Sequence, residues 1–198
     1  MNIAIITCEG FNELDSFIAA SIMNRMKELG WNVQITCPSE SVTSMNGVTV
    51  LAQQQLEFAN TADAVLFGSG SQTRSISEDA SILSRLSLNP DKQLICAQCS
   101  GALLLSVLGL LNKIPACTDL TSKPWVIESG VEVIDQAFFA KGNIATAGGC
   151  LASTYLATWI ISKLADKKSA ETAIHYVAPV GEKEAMVKHC MAVVSPYS

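Results

Sequence analysis

Short apolar runs alternate along this chain with longer stretches of helical period, the pattern of strands and helices taking turns. Residues 3–7 form a brief β-branched run that predicts a buried strand. In 14–29, Leu14, Phe17, Ile18, Ser21, Ile22, Arg25, Met26 and Leu29 recur near i, i+3, i+4 spacing before Gly30, which predicts an amphipathic helix with a glycine stop. A second strand follows at 33–37, ended by Pro38, so the opening reads as a βαβ unit whose first two strands are parallel. The polar stretch 39–61 carries Asn46-Gly47 as a hairpin turn ahead of 48–51.

Further strands are expected at 64–67, 94–98 and 144–147, and helices at 77–88, 100–111 and 151–164. The stretch 116–142 is irregular, with 131–134 and Phe138-Phe139 as short strand candidates. The tail 167–198 reads as one or two helices with an extended piece at 175–177. This order predicts an α/β domain over 1–198, a mostly parallel sheet with helices on both faces.

Composition narrows the function classes. Hydrophobic residues make up 49% of the 198 and charged residues 16%, so the chain can bury a full core. With 13 Lys+Arg against 18 Asp+Glu and no basic run, the footprint of a nucleic-acid binder is missing. The apolar stretch 102–111 is too short for a bilayer and the first residues do not resemble an export signal, so no membrane anchor is expected. Seven cysteines in such a chain point to a reducing, cytoplasmic setting.

Ligands of such sheets bind beyond the carboxyl ends of the strands, so the residues just after each strand are the ones to inspect. Cys99 lies where the strand 94–98 passes into a helix with almost no loop, and the small residues Ala97 and Gly101 stand two positions away on either side. That spacing is the pattern of a nucleophile elbow. A thiol at a helix N-terminus is expected to be exposed and to have a lowered pKa. The bland alternative is a buried cysteine acting as a small apolar residue.

Asp15 follows the first strand, either as a first-turn acid beside an Asn12 cap or as the proton-transfer partner of the thiol. Gly68-Ser69-Gly70-Ser71 lacks the ending of a phosphate loop and makes better sense as backbone offering N–H donors to an oxyanion. The two histidines, His175 and His189, fall in the tail away from Cys99, and cysteine spacing gives no metal-ligand set.

Together these residues resemble the ThiJ/PfpI superfamily, relatives of the class I glutamine amidotransferases, over nearly the whole chain. The likeness is carried by Cys99-Ser100-Gly101-Ala102, by Gly109-Leu110-Leu111-Asn112, by Ala145-Thr146-Ala147-Gly148-Gly149, and by Phe11 through Asp15. The nearest pattern is the isocyanide-hydratase-like branch. The resemblance implies a flavodoxin-like three-layer sandwich, a homodimer, a reactive Cys99, a carboxylate partner at Asp15, and substrate or oxyanion contacts at Ser100, Gly70 and Ser69.

Three positions depart from the family pattern. Gly68-Ser69-Gly70 replaces Pro-Gly-Gly, Cys117-Thr118-Asp119-Leu120 stands where His-Trp is usual, and Tyr155 replaces a frequent Asp. Ser100 occupies the place of the histidine found in peptidase-like members, which argues against peptidase activity. The expectation is a cysteine-dependent enzyme, without metal or organic cofactor, acting on a small electrophilic molecule by hydratase, lyase or glyoxalase-like chemistry. The competing readings are a non-catalytic thiol sensor of oxidative stress and a binding protein with a decayed pocket.

Overall fold

The computed structural model describes residues 1–197; Ser198, the end of the predicted tail, lies outside them. Its strands are β1 (Asn2–Ile6), β2 (Asn32–Cys37), β3 (Ser41–Thr43), β4 (Thr49–Leu51), β5 (Gln54–Gln55), β6 (Ala64–Phe67), β7 (Leu94–Gln98), β8 (Phe138–Lys141) and β9 (Ile144–Ala147). Seven of them form one sheet in the order β5-β2-β1-β6-β7-β9-β8. Every pairing in it is parallel except β8 with β9. The helices are α1 (Glu13–Met23), α2 (Thr73–Ser77), α3 (Ala80–Leu83), α4 (Gly101–Val107), α5 (Lys123–Glu128), α6 (Ser153–Leu164), α7 (Lys167–Val177) and α8 (Lys183–Val194).

Strand alternation sends side chains to two separate cores. Ile3 and Ile5 of β1, Leu66 of β6 and Cys96 of β7 pack with Met23 of α1, Trp159 and Ile160 of α6, Ile174 of α7 and Val194 of α8. Ala4, Ile6, Val65, Phe67 and Ile95 point the other way, onto Leu103, Leu104 and Leu105 of α4 and Val126 of α5. Because both faces are covered, β6, β7 and β9 are buried along their whole length. This is why they read in sequence as short runs without a polar alternation. The three layers make the flavodoxin-like α/β fold that the sequence implied. Among the described residues, no helix is long and apolar enough to cross a membrane.

At the far edge, the β8 strand lies beneath the last turn. The Trp159 indole, fully buried, donates to the Tyr197 carbonyl at 3.1 Å, and the Tyr197 ring meets the rings of Phe138 and Phe139, each at 5.5 Å. β3 and β4 pair as an antiparallel hairpin outside the main sheet, turning through Gly47, whose φ of +87° is open to glycine without strain.

Several expected helices are shorter than their periodicity suggested. The segment 14–29 is α1 followed by a 3-10 turn from Asn24 to Leu29, and the Asn24 side-chain amide bonds the Ala20 carbonyl at 2.9 Å where the α-helix ends. The segment 77–88 is not one helix. α2 ends at Ser77, and the Asp79 side chain then caps α3 by accepting from the Ser81 N–H at 2.8 Å. Residues 175–177, expected as extended, complete α7, while 131–134 contribute only a bridge between Val133 and Ala116.

Candidate functional site

Three strand ends converge beyond the carboxyl edge of the sheet. After β1, the Asn12 side chain caps α1 by accepting from the Leu14 N–H at 3.1 Å, and Asp15 sits in the first turn. That carboxyl is fully buried. After β6, the loop 68–71 is fastened to the first strand end: the Asn12 N–H donates to the Ser69 carbonyl at 2.8 Å, and Phe11 and Gly70 form a bridge. The Ser69 hydroxyl donates a short hydrogen bond to Asp15 Oδ2.

After β7, Cys99 adopts φ +47°, a left-handed backbone rarely taken by a residue with a side chain. It is held there from both sides. Its N–H donates to the Ala147 carbonyl of β9 at 2.8 Å, and its carbonyl accepts the Thr118 hydroxyl at 2.8 Å. Next to it, Ser100 Oγ accepts the Gly70 N–H at 3.2 Å and lies 2.8 Å from the Thr73 hydroxyl. The strained turn expected of Cys99 is therefore present, and the Gly70 N–H, expected as an oxyanion donor, is already given to the Ser100 side chain.

The sulfur itself corrects an expectation. Cys99 is only 3% exposed, and burial first, then the neighbouring Asp15 carboxylate, pushes its thiol well above the usual cysteine range. Expecting an exposed, readily ionised sulfur from the start of a helix neglected two things. α4 has only seven residues and begins two positions later, and the thiol is packed beside a carboxyl group. Loss of hydration and a negative neighbour outweigh a short helix. Asp15 is likewise raised, by burial, against opposing hydrogen bonds from Ser69, Cys150 and Cys99.

The residue that sequence reasoning left aside is Cys150. It follows the Gly148-Gly149 turn at the end of β9, the strand next to β7, so the rule that singled out Cys99 would have reached it too. One oxygen of Asp15 and the sulfurs of Cys99 and Cys150 all lie within 4.8 Å of one another, a grouping that could hold a metal ion. Cys150 is partly exposed and forms the open side of the cluster. Gln98 and Asn12 were also missed as partners: their side-chain amides donate to Cys99 Sγ and Cys150 Sγ, each at 3.3 Å.

Neither histidine joins the group. His189 Nε2 lies 2.9 Å from the Tyr155 hydroxyl, and His175 is 3.6 Å from Glu184, both on the outer helices. A cavity of about 580 Å³ lies between the turn 24–29 and α7 and is lined by residues such as Arg25, Lys168 and Tyr176, not by the cluster.

In three dimensions the chain is similar to a ThiJ/PfpI family protein from Pseudomonas syringae, with TM-score 0.77 and 20% identity over 98% of this chain and 87% of that one. It is similar to Schizosaccharomyces pombe DJ-1, with TM-score 0.76 and 15% identity over 90% of this chain and all of that one. Drosophila melanogaster DJ-1beta gives TM-score 0.76 and 22% identity over 89% and 96% of the two chains. At such identities the likeness concerns the fold. No curated protein matches the chain in sequence. The family assignment comes from the sequence model of the DJ-1/PfpI family, which matches residues 1–163, and the chain belongs to that family.

Proposed function

We propose that the protein is a cysteine-dependent, cofactor-independent enzyme acting on a small electrophilic molecule, with Cys99 as nucleophile and Asp15 as the group that moves the proton. The observation that carries this reading is the pairing of a thiol on a strained, doubly anchored backbone with a buried carboxyl group. A thiol held protonated needs a base as it bonds to carbon, and a carboxylate made more basic by burial supplies one.

In this reading Asp15 takes the sulfur's proton as the carbon–sulfur bond forms and returns it to the substrate, to the carbonyl oxygen of a 2-oxoaldehyde or to the carbon of an isocyanide, which thereby becomes a thioimidate open to water. The backbone N–H of Ser100 stands as donor to the developing negative charge, since that of Gly70 is engaged. Hydration of the isocyanide type, lyase and glyoxalase-like chemistry all fit these steps. The same reading has the protein as a cytoplasmic homodimer.

The test is a panel of isocyanides and 2-oxoaldehydes with the native protein, Cys99→Ala and Asp15→Asn. Turnover by the native protein and its loss in both variants, with melting temperatures unchanged, supports the proposal; undiminished rates in Cys99→Ala remove it. The burial of Cys99, away from the cavity of about 580 Å³, favours a second reading as a non-catalytic binding protein with a decayed pocket. Inactivity of the native protein across the panel would leave that reading standing in place of the first.

A further inference from the structure

Asp15, Cys99 and Cys150 come from three distant segments: the first turn of α1, the β7–α4 turn, and the turn beyond β9. No sequence spacing announces them as a set. In the fold, each receives a hydrogen-bond donor: the Ser69 hydroxyl to Asp15 Oδ2, the Gln98 amide to Cys99 Sγ at 3.3 Å, and the Asn12 amide to Cys150 Sγ at 3.3 Å. Donors in these places favour the anionic form of a carboxylate or thiolate and orient it, as the outer partners of metal ligands do.

The remaining oxygen of the carboxylate is the second observation. Asp15 Oδ1 belongs to a side chain with no solvent exposure and, among the described residues, receives no N–H or O–H hydrogen bond; besides Ser69, the groups that reach this carboxyl are the thiols of Cys99 and Cys150. A buried carboxylate oxygen without such a donor is costly unless a cation or a proton meets it.

We infer that Asp15, Cys99 and Cys150 form a binding site for one thiophilic divalent cation of the zinc type, with a fourth coordination position open toward Cys150. Zinc takes sulfur at about 2.3 Å and carboxylate oxygen at about 2.0–2.2 Å in a tetrahedron, which sets its ligand atoms roughly 3.5–4 Å apart. The three atoms here, within 4.8 Å, need to draw together by no more than about 1.3 Å. Binding forms two metal–sulfur bonds and one metal–oxygen bond and expels the two thiol protons to solvent, with no change of oxidation state. Two sulfurs with one oxygen select a borderline-soft ion over magnesium or calcium, which take oxygen ligands. The ion enters past Cys150, the partly exposed member.

This inference does not rest on the catalytic reading, because a bound ion would occupy Cys99 and Asp15 and block that chemistry, and its test does not read turnover. The reduced, metal-free full chain is titrated with Co²⁺ and with Cd²⁺ while thiolate-to-metal charge-transfer absorption is followed, and Zn²⁺ is then added to displace them. The expected result is saturation at one equivalent and displacement by Zn²⁺. Cys150→Ala and Cys99→Ala are each expected to abolish the absorption and Asp15→Asn to weaken binding at least tenfold, whereas Cys8→Ala leaves the titration unchanged. Circular dichroism confirms that each variant is folded. Absence of a saturable band in the native chain, or a band of full intensity in folded Cys150→Ala, overturns the inference.

Discussion

Gly101 of α4 lies against Gly68, so close that a methyl group built on it would stand 2.8 Å from the carbonyl oxygens of both Gly68 and Phe67. Those oxygens belong to backbone at the end of the buried β6 strand, which has little room to yield. Gly101→Ala should therefore destabilise the fold by about 1–3 kcal/mol, as overpacked sites do. Urea unfolding measures this, and a midpoint equal to that of the native chain would show that the contact is looser than described.

The left-handed backbone of Cys99 makes a second comparison. Cys99→Ala keeps a Cβ at φ +47°, whereas Cys99→Gly removes the steric conflict, which is worth roughly 1–2 kcal/mol at such a residue. The glycine variant should unfold at a urea concentration equal to or above that of the alanine variant, despite burying one methyl group fewer. A clearly lower midpoint for Cys99→Gly would mean that the turn is not strained.

Thiol reactivity should follow exposure and burial. With iodoacetamide near neutral pH, Cys150 should be labelled before Cys99, which is 3% exposed, and before Cys8, whose thiol is pushed up to about 12 by burial and the nearby Cys37. Peptide mass spectrometry over a time course reads the order. Labelling that begins at Cys99 would contradict its packing.

The bidentate pair of Glu57 and Arg85, at 2.6 and 3.0 Å, gives a pH signature. Hydrogen bonds from Arg85 lower the Glu57 carboxyl from 4.5 to about 2. A carboxyl depressed on folding contributes stability that is full above its unfolded value and is lost as pH falls through its folded value. The stability gap between the native chain and Glu57→Gln should thus be small and constant near neutrality, because the pair is solvent-exposed, and should close between about pH 4.5 and about pH 2. Acid titrations of both chains measure it, and a gap that widens on acidification would count against the pairing.

The central strands were legible because burial on both faces turns them into compact apolar runs: 64–67, 94–98 and 144–147 match β6, β7 and β9 residue for residue. Helix ends were less so, since side chains such as Asn24 and Asp79 compete locally for backbone groups in ways that periodicity does not register. At the site, the turn carrying Cys99 could be read from the small residues around it, and Asp15 from its place after the first strand. The environment of the sulfur could not. Whether a thiol is wet or dry depends on what the other strand ends bring to it, and Cys150, Gln98 and Asn12 do so from positions set only by the folded sheet.

The seat of Tyr197 matters beyond the last turn itself. β8 is the outermost strand of the sheet, with one row of backbone groups unpaired by any further strand, and borders of that kind invite pairing with another chain. Replacing Tyr197 with alanine would take its ring off Phe138 and Phe139 on this border and loosen the seat of the Trp159 indole, so the damage would show as self-association and a red-shifted tryptophan emission well before the central strands came apart.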